Sequence, residues 1–320
     1  MQLDLSMIEN CKICPRFCRV NRKKGELGFC GAGSEALVAH YGPHFGEEPP
    51  ITGTNGSGNI FFSLCNLRCV YCQNYQISHD SCGGVVTVEE LVTIFFSLEA
   101  MGCHNVNLVS PTPYIPFIAA AVSEAKGKGI TIPFIYNTNA YENTEALRHL
   151  EGLIDIYLPD FKYWSVSAAE RLSGVPKGAP YRENAQAAII EMKRQVGDLL
   201  IEDGIAKKGI LVRHLVLPGG VAGSREVFRW IDERLGEKTF VGLMSQYLPI
   251  HRSNEYPILN RRVRQDEYDG VVTYLVDRGF YNVFIQELGS APVLVPDFSK
   301  DEPFGDEEPG TVAHKEERWN

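Results

Sequence analysis

No apolar run in the 320 residues approaches the roughly 20 needed to span a bilayer. The opening, Met1 to Asn10, has neither the basic end nor the apolar stretch of an export signal, so a cytoplasmic protein is expected. Positive charge is not in excess either. Lys and Arg number 31 against 40 Asp and Glu, a net −9, which leaves no global field for nucleic acid or an anionic membrane; neither is an expected partner. There is no internal repeat of solenoid period. With 44% hydrophobic and 22% charged residues the chain is not disordered, collagenous or a coiled coil. What it does have is nine cysteines. A secreted disulfide scaffold would be shorter and denser in Cys, and in a reducing compartment clustered cysteines more often hold metal or do redox chemistry. They cluster twice: Cys11, Cys14, Cys18 and Cys30, then Cys65, Cys69 and Cys72. Cys82 and Cys103 stand apart.

Between and beyond the clusters, short apolar runs alternate with helical periodicity. Strands are expected over 59–64, 105–109, 132–136, 153–158, 210–217 and 239–244, with a last one over 281–286. Helices are expected over 87–98, with Thr87 as N-cap and Glu90 completing a capping box, and over 114–128, 142–151, 182–203, 224–235 and 265–278. This alternation predicts an α/β fold with a parallel sheet and helices outside. Six units are too few to close an eight-unit barrel, so an open, partial (β/α)6 barrel is expected, its chemistry at the C-terminal ends of the strands. The chain divides into a Cys-rich segment over 1–50, the barrel over 51–288, and an extension over 289–320. From Ser299 to Asn320 the composition is acidic and nearly free of apolar residues, which reads as a disordered, solvated tail.

Cys65-Asn-Leu-Arg-Cys69-Val-Tyr-Cys72 follows the first barrel strand with C-x3-C-x2-C spacing. Three thiolates on one short loop can wrap three irons of a cubane and leave the fourth iron open to bind and activate a substrate. A zinc site borrowing a remote ligand, or three buried cysteines, are the bland readings of the same spacing. The loop resembles the signature of the radical SAM enzymes, in which an aromatic residue, here Tyr71, precedes the last cysteine. The stretch Gly58–Asn74, with segments 107–114, 133–141, 155–163 and 212–219, is similar to the pyruvate formate-lyase activating enzyme branch and its activase-like relatives.

The resemblance implies a 4Fe–4S cluster on Cys65, Cys69 and Cys72. S-adenosylmethionine would bind the fourth iron and be cleaved reductively to a 5′-deoxyadenosyl radical that abstracts hydrogen. It further implies an electron donor such as flavodoxin or ferredoxin, and a glycyl radical enzyme as protein substrate. A small molecule or a peptide is the alternative substrate, and an iron–sulfur electron carrier or redox sensor the alternative outside enzymes.

Candidate cofactor contacts follow from the strand ends. The family often carries Gly-Gly-Glu after the second strand to receive the methionine amine. This chain has Ser110-Pro-Thr112-Pro, so those hydroxyls are expected to serve, unless the stretch is only a stiff turn. Asn137 and Thr138 end the third strand. Asp160 and Lys162 end the fourth, on one face in period two, where Lys162 suits the methionine carboxylate. Asp160, Thr138 and Asn137 also offer hard oxygens for the monovalent cation that activating enzymes hold there. In Arg213-His214 at most one side chain points inward; His214 is the candidate, against the reading of a packed histidine. Gln246 and His251 are weaker candidates. The four N-terminal cysteines, with Pro15, Gly28 and Gly31 allowing a tight wrap, suit either a structural zinc or a second iron–sulfur cluster.

Overall fold

The computed structural model describes residues 3–288, 295–305 and 314–316. Its strands are β1 (Ala36–His44), β2 (Ser57–Phe62), β3 (Gly84–Val86), β4 (Val106–Val109), β5 (Phe134–Thr138), β6 (Ile156–Pro159), β7 (Leu200–Glu202), β8 (Ile205–Leu215), β9 (Phe240–Met244), β10 (Val283–Gln286) and β11 (His314–Glu316). β2, β4, β5, β6, β8, β9 and β10 lie side by side in that order, each parallel to the next. Helices connect them on the outside. The result is the expected partial barrel: six strand–helix units with β10 as a closing seventh strand. Its edges carry antiparallel additions, β1 with β3 beside β2, and β11 beside β10. No helix among the described residues is long and apolar enough to cross a membrane.

Strands covered on both faces read as continuous apolar runs, and every residue of β2 is buried. Alternate residues divide the two faces. Ile60 and Phe62 pack under the outer helices, whereas Asn59 and Phe61 look into the barrel. The helix Val88–Ala100 starts at the expected capping box: Thr87 Oγ1 accepts from the Glu90 amide at 3.2 Å, and Glu90 Oε2 accepts from the Thr87 amide at 2.7 Å. A short helix, Pro49–Thr52, closes the far end of the barrel. Its Ile51 packs with Ile135, Ile156, Leu158 and Leu211.

Three expectations are corrected. The long helix runs from Tyr181 to Val196, not to 203: Gly197, at φ +77°, ends it, and Leu200–Glu202 instead pairs with β8 as a hairpin. β1 was not expected, because its Gly-Pro pair and mixed burial hide the strand pattern. The segment from Ser299 is not wholly solvated. Residues 295–305 fold back over β2, where Phe298 and Phe304 lie 5.5 and 5.2 Å, centroid to centroid, from the Phe61 ring; the rest of the tail expectation falls almost entirely outside the described residues.

Candidate functional site

The loop after β2 turns sharply at Leu64, whose φ is +69°. It is pinned from three sides. Its Arg68 and Val70 amides donate to the carbonyls of Ser173 and Leu172 at 3.0 and 2.9 Å. Asn66 Nδ2 donates to the Tyr141 carbonyl at 2.6 Å, and Asn139 Nδ2, just past β5, donates to Asn66 Oδ1 at 2.8 Å. Cys65, Cys69 and Cys72 are thereby held on the wall of one cavity of about 220 Å³ at the mouth of the barrel.

Each sulfur has a hydrogen-bonding neighbour. Cys65 Sγ accepts from Asn139 Nδ2 at 3.3 Å and from the Leu67 amide at 3.4 Å. Cys69 Sγ lies 3.0 Å from Ser173 Oγ, and Cys72 Sγ 3.2 Å from Ser78 Oγ. Burial pushes the Cys65 thiol up to about 11, the Cys72 thiol up to about 12, and Cys69 upward as well. Thiolates here therefore need a compensating metal charge. No three Cys, His, Asp or Glu side chains among the described residues converge on a single ion. Three thiols spread around a shared cavity fit a cluster, in which each binds a different iron, better than one zinc. Tyr71 is buried beside them, its hydroxyl 2.5 Å from that of Tyr163.

The strand ends complete the cavity. Ser110, at φ +58°, lines it, as do Asn137, Thr138, Asp160 and Lys162. Lys162 Nζ donates to Asp160 Oδ2 at 2.6 Å in a largely buried pair. Burial alone would lower the Lys162 ammonium; Asp160, and then Cys69, outweigh it and hold it above its ordinary range. It stays charged, facing the three cysteines. If Lys162 holds a ligand carboxylate, Lys162→Ala weakens S-adenosylmethionine binding by roughly 1.5–3 kcal/mol, the scale of a charge-assisted hydrogen bond, with the cluster's absorbance without S-adenosylmethionine unchanged. Calorimetric titration checks this, and an unchanged affinity would make the pair purely structural.

Three candidates lie elsewhere. His214 is a satisfied core histidine: its Nδ1 meets the Phe161 carbonyl at 2.7 Å, its Nε2 meets Ser224 Oγ at 2.9 Å, and Phe228 packs edge-on. The alternation of β8 turns its neighbour Arg213 inward instead. Thr112 is buried off the cavity and donates to Glu142 Oε1 at 2.6 Å. Gln246 does line the cavity, bonded to Gln73 and Gln286. His251 is stacked on Tyr75 outside it.

Sequence reasoning missed the ion group within the cavity. Arg213 Nη2 donates to Glu47 Oε2 at 2.5 Å and to Glu48, and Arg213 Nε donates to Glu48 Oε1 at 2.9 Å. Asn59 and Asn107 each donate to Glu47 Oε1 at 2.9 Å. A Cβ at Gly242 would overlap the Glu48 carboxylate, so glycine there makes the space. The available signal was an arginine inside the apolar run 210–217, which cannot be buried without acidic partners.

Glu142 was also missed. Burial pushes its carboxyl up to about 7, against hydrogen bonds from Thr112, Thr138 and Tyr136. A folded value above the ordinary one means its stabilising share is full below about 4.5 and lost as pH rises through about 7. Urea midpoints at pH 5 and pH 8 should show a loss on the order of 3 kcal/mol, which Glu142→Gln should largely remove.

The four N-terminal cysteines surround a second, much smaller cavity, shared with Arg16 and Arg22. This segment is docked on the cysteine loop: Arg16 Nε donates to the Asn66 carbonyl at 2.6 Å, and Arg68 Nη2 donates to the Cys30 carbonyl at 3.3 Å.

The sequence profile of the Radical SAM superfamily matches residues 59–186. Uncharacterized protein MJ0674 of Methanocaldococcus jannaschii is 30% identical over 279 residues, 84% of this chain and 75% of that protein. The pyruvate formate-lyase-activating enzyme of Staphylococcus aureus is 27% identical over 172 residues, 50% of this chain and 61% of that enzyme. Among solved structures, the FeFe-hydrogenase maturase HydG from Carboxydothermus hydrogenoformans aligns with a TM-score of 0.49 and 13% identity, covering 69% of this chain and 50% of that one. The chain thus spans about three fifths of the activating enzyme's length and half of the maturase's. It belongs to the radical SAM superfamily and is a radical SAM enzyme. Membership implies a 4Fe–4S cluster and S-adenosylmethionine.

Proposed function

We propose that this protein reductively cleaves S-adenosylmethionine in the barrel mouth and abstracts hydrogen from a protein substrate, as an activating enzyme of a glycyl radical enzyme. The observation that carries the reading is the convergence of Cys65, Cys69, Cys72, Ser110, Asn137, Asp160 and Lys162 on one cavity. When bound, the reduced cluster would supply the electron that breaks the sulfonium bond of S-adenosylmethionine and yields the hydrogen-abstracting 5′-deoxyadenosyl radical.

The chain's own residues have separate tasks. Cys65, Cys69 and Cys72 would hold three irons, with the Asn139 amide and the Leu67 N–H bonded to the first sulfur. Lys162, kept charged by Asp160, would take the methionine carboxylate. Ser110 and Asn137 would orient the rest of the molecule through hydroxyl and amide groups. Asp160, with Asn137 and Thr138, would also supply oxygens for a monovalent cation. Tyr71, Leu67 and Phe61 exclude water, which a reactive radical requires.

Similarity to activating enzymes supports a glycyl residue of a partner protein as the hydrogen donor. The test is anaerobic incubation with pyruvate formate-lyase, S-adenosylmethionine and a low-potential reductant. A glycyl-radical EPR doublet on the partner is expected; 5′-deoxyadenosine without that signal would reject the activase assignment. One observation favours a second reading. The Glu47–Glu48–Arg213 group puts buried charge within the cavity, which suits a small polar substrate. In that case free small molecules, not the partner, would accelerate 5′-deoxyadenosine formation.

A further inference from the structure

We propose that Cys11, Cys14, Cys18 and Cys30 hold a second iron–sulfur cluster, seated against the loop of Cys65, Cys69 and Cys72 and in electronic contact with the cluster there. The electronic contact rests on the function proposed above; the second cluster itself does not.

The backbone of this segment is folded around its sulfurs. Cys11 is paired on both sides, its amide donating to the Val20 carbonyl at 3.0 Å and its carbonyl accepting from the Arg19 amide at 2.9 Å. Phe17 and Arg19, on either side of Cys18, adopt φ of +45° and +58°, an uncommon conformation for side-chain-bearing residues that turns the chain tightly around that cysteine. A Cβ at Gly28 would stand 3.0 Å from Cys18 Sγ, so the chain passes as close to that sulfur as glycine permits. All four cysteines line the resulting cavity.

The second observation is electrostatic. Arg22 is 1% exposed. Its Nε donates to the Gly33 carbonyl at 2.7 Å and its Nη1 to the Pro113 carbonyl at 2.8 Å, but its Nη2 is buried with no hydrogen-bond partner. Arg22 lines the cavity of the four cysteines, and a buried cation with an idle donor calls for an anion nearby. Neutral thiols cannot supply one. Four thiolates around a dication, or around an iron–sulfur core of the same charge, carry a formal double negative charge. Arg16 and Arg22, both on the cavity wall, match it.

Ligand pattern selects the cluster over zinc. Structural zinc sites commonly join separated ligand pairs at one point, with Zn–S near 2.3 Å. Here three cysteines fall within Cys11–Cys18 and a fourth follows at Cys30, the arrangement that wraps corners of a cubane. The free space between the four cysteines is about 20 Å³, room for one water-sized body. Cys14, Cys18 and Cys30 are only partly buried, and seating a cluster would require their side chains to move outward from this space. Contact with the other loop is direct: Arg68 bonds the Cys30 carbonyl, and a Cβ at Gly31 would touch Leu64, the residue before Cys65, at 3.6 Å.

The test uses the full chain, reconstituted anaerobically with iron and sulfide. The triple variant Cys65→Ala/Cys69→Ala/Cys72→Ala should retain about four irons and four sulfides, half the wild-type content, with absorbance that bleaches on reduction. Zinc without sulfide, or no metal, would overturn the proposal. Because that variant lacks the other cluster's ligands, its result stands even if the proposed function fails. Should it not fold, wild type decides: about eight irons per chain supports a second cluster, whereas about four with one zinc overturns it. Cys14→Ser/Cys18→Ser should lose the complementary half. The EPR spectrum of fully reduced wild type should differ from the sum of the two half-loaded variants; simple addition would overturn electronic contact.

Discussion

Cys69→Ala is expected to reduce 5′-deoxyadenosine formation to background. The three cysteines are not redundant, because each would bind a different iron at one corner of a cluster and none of their neighbours is a soft donor. The groups next to the sulfurs are the hydroxyls of Ser173 and Ser78 and the amide of Asn139, which cannot replace a thiolate. The fold should survive. The loop is held by backbone bonds to Leu172 and Ser173, the last residues of the helix Val166–Ser173, and by Asn66, not by the sulfurs, and removing one buried sulfur costs about 1 kcal/mol. The comparison is therefore a thermal midpoint close to wild type beside abolished turnover. Appreciable 5′-deoxyadenosine from the reconstituted variant would show that Cys69 is no ligand.

Arg213→Leu should be the most damaging single change to stability. The guanidinium is the cationic partner of both Glu47 and Glu48, all three largely shielded from solvent. Removing one partner of a buried charge group typically costs about 3–5 kcal/mol, because the remaining charge loses its compensation without regaining water. Burial alone would raise the Glu47 carboxyl, but Arg213, then His44 and the Asn59 amide, outweigh it and hold it at about 2. That depressed value gives the sign of the pH dependence. The contribution of Glu47 is full above its ordinary 4.5 and falls away as pH drops through about 2; in Arg213→Leu that acid-side loss should shrink. Combining Arg213→Leu with Glu47→Gln and Glu48→Gln should recover much of the stability in urea melts. No recovery would mean that Arg213 acts through packing alone.

The barrel was legible because each parallel strand, covered on both faces, is a short apolar run followed by a helix with its own start signal. The cysteine loop was legible because its ligands lie within eight residues. Legibility failed where a contact is long in sequence. Nothing near Glu47 announces Arg213, 166 residues on, and the choice between Arg213 and His214 turned on strand parity alone. Asp160 and Lys162 could be placed on one face because the alternation of β6 continues past its end; at Ser110-Pro-Thr112 the chain turns into a helix, so Thr112 swings away to Glu142. The helix ending at Val196 was overextended because Leu199 and Leu200 keep helical spacing beyond a glycine that the chain uses to turn. Phe298 and Phe304 were hidden by the acidic residues around them.

The central claim is that Cys65, Cys69 and Cys72 hold a cluster that cleaves S-adenosylmethionine. The most direct measurement is product analysis after anaerobic reconstitution, with dithionite as electron source and S-adenosylmethionine supplied. The account predicts methionine and 5′-deoxyadenosine in equal amounts, dependent on reductant and absent from the triple Cys→Ala variant. A fully loaded, reducible cluster that leaves S-adenosylmethionine intact would contradict it and return the protein to the class of electron carriers.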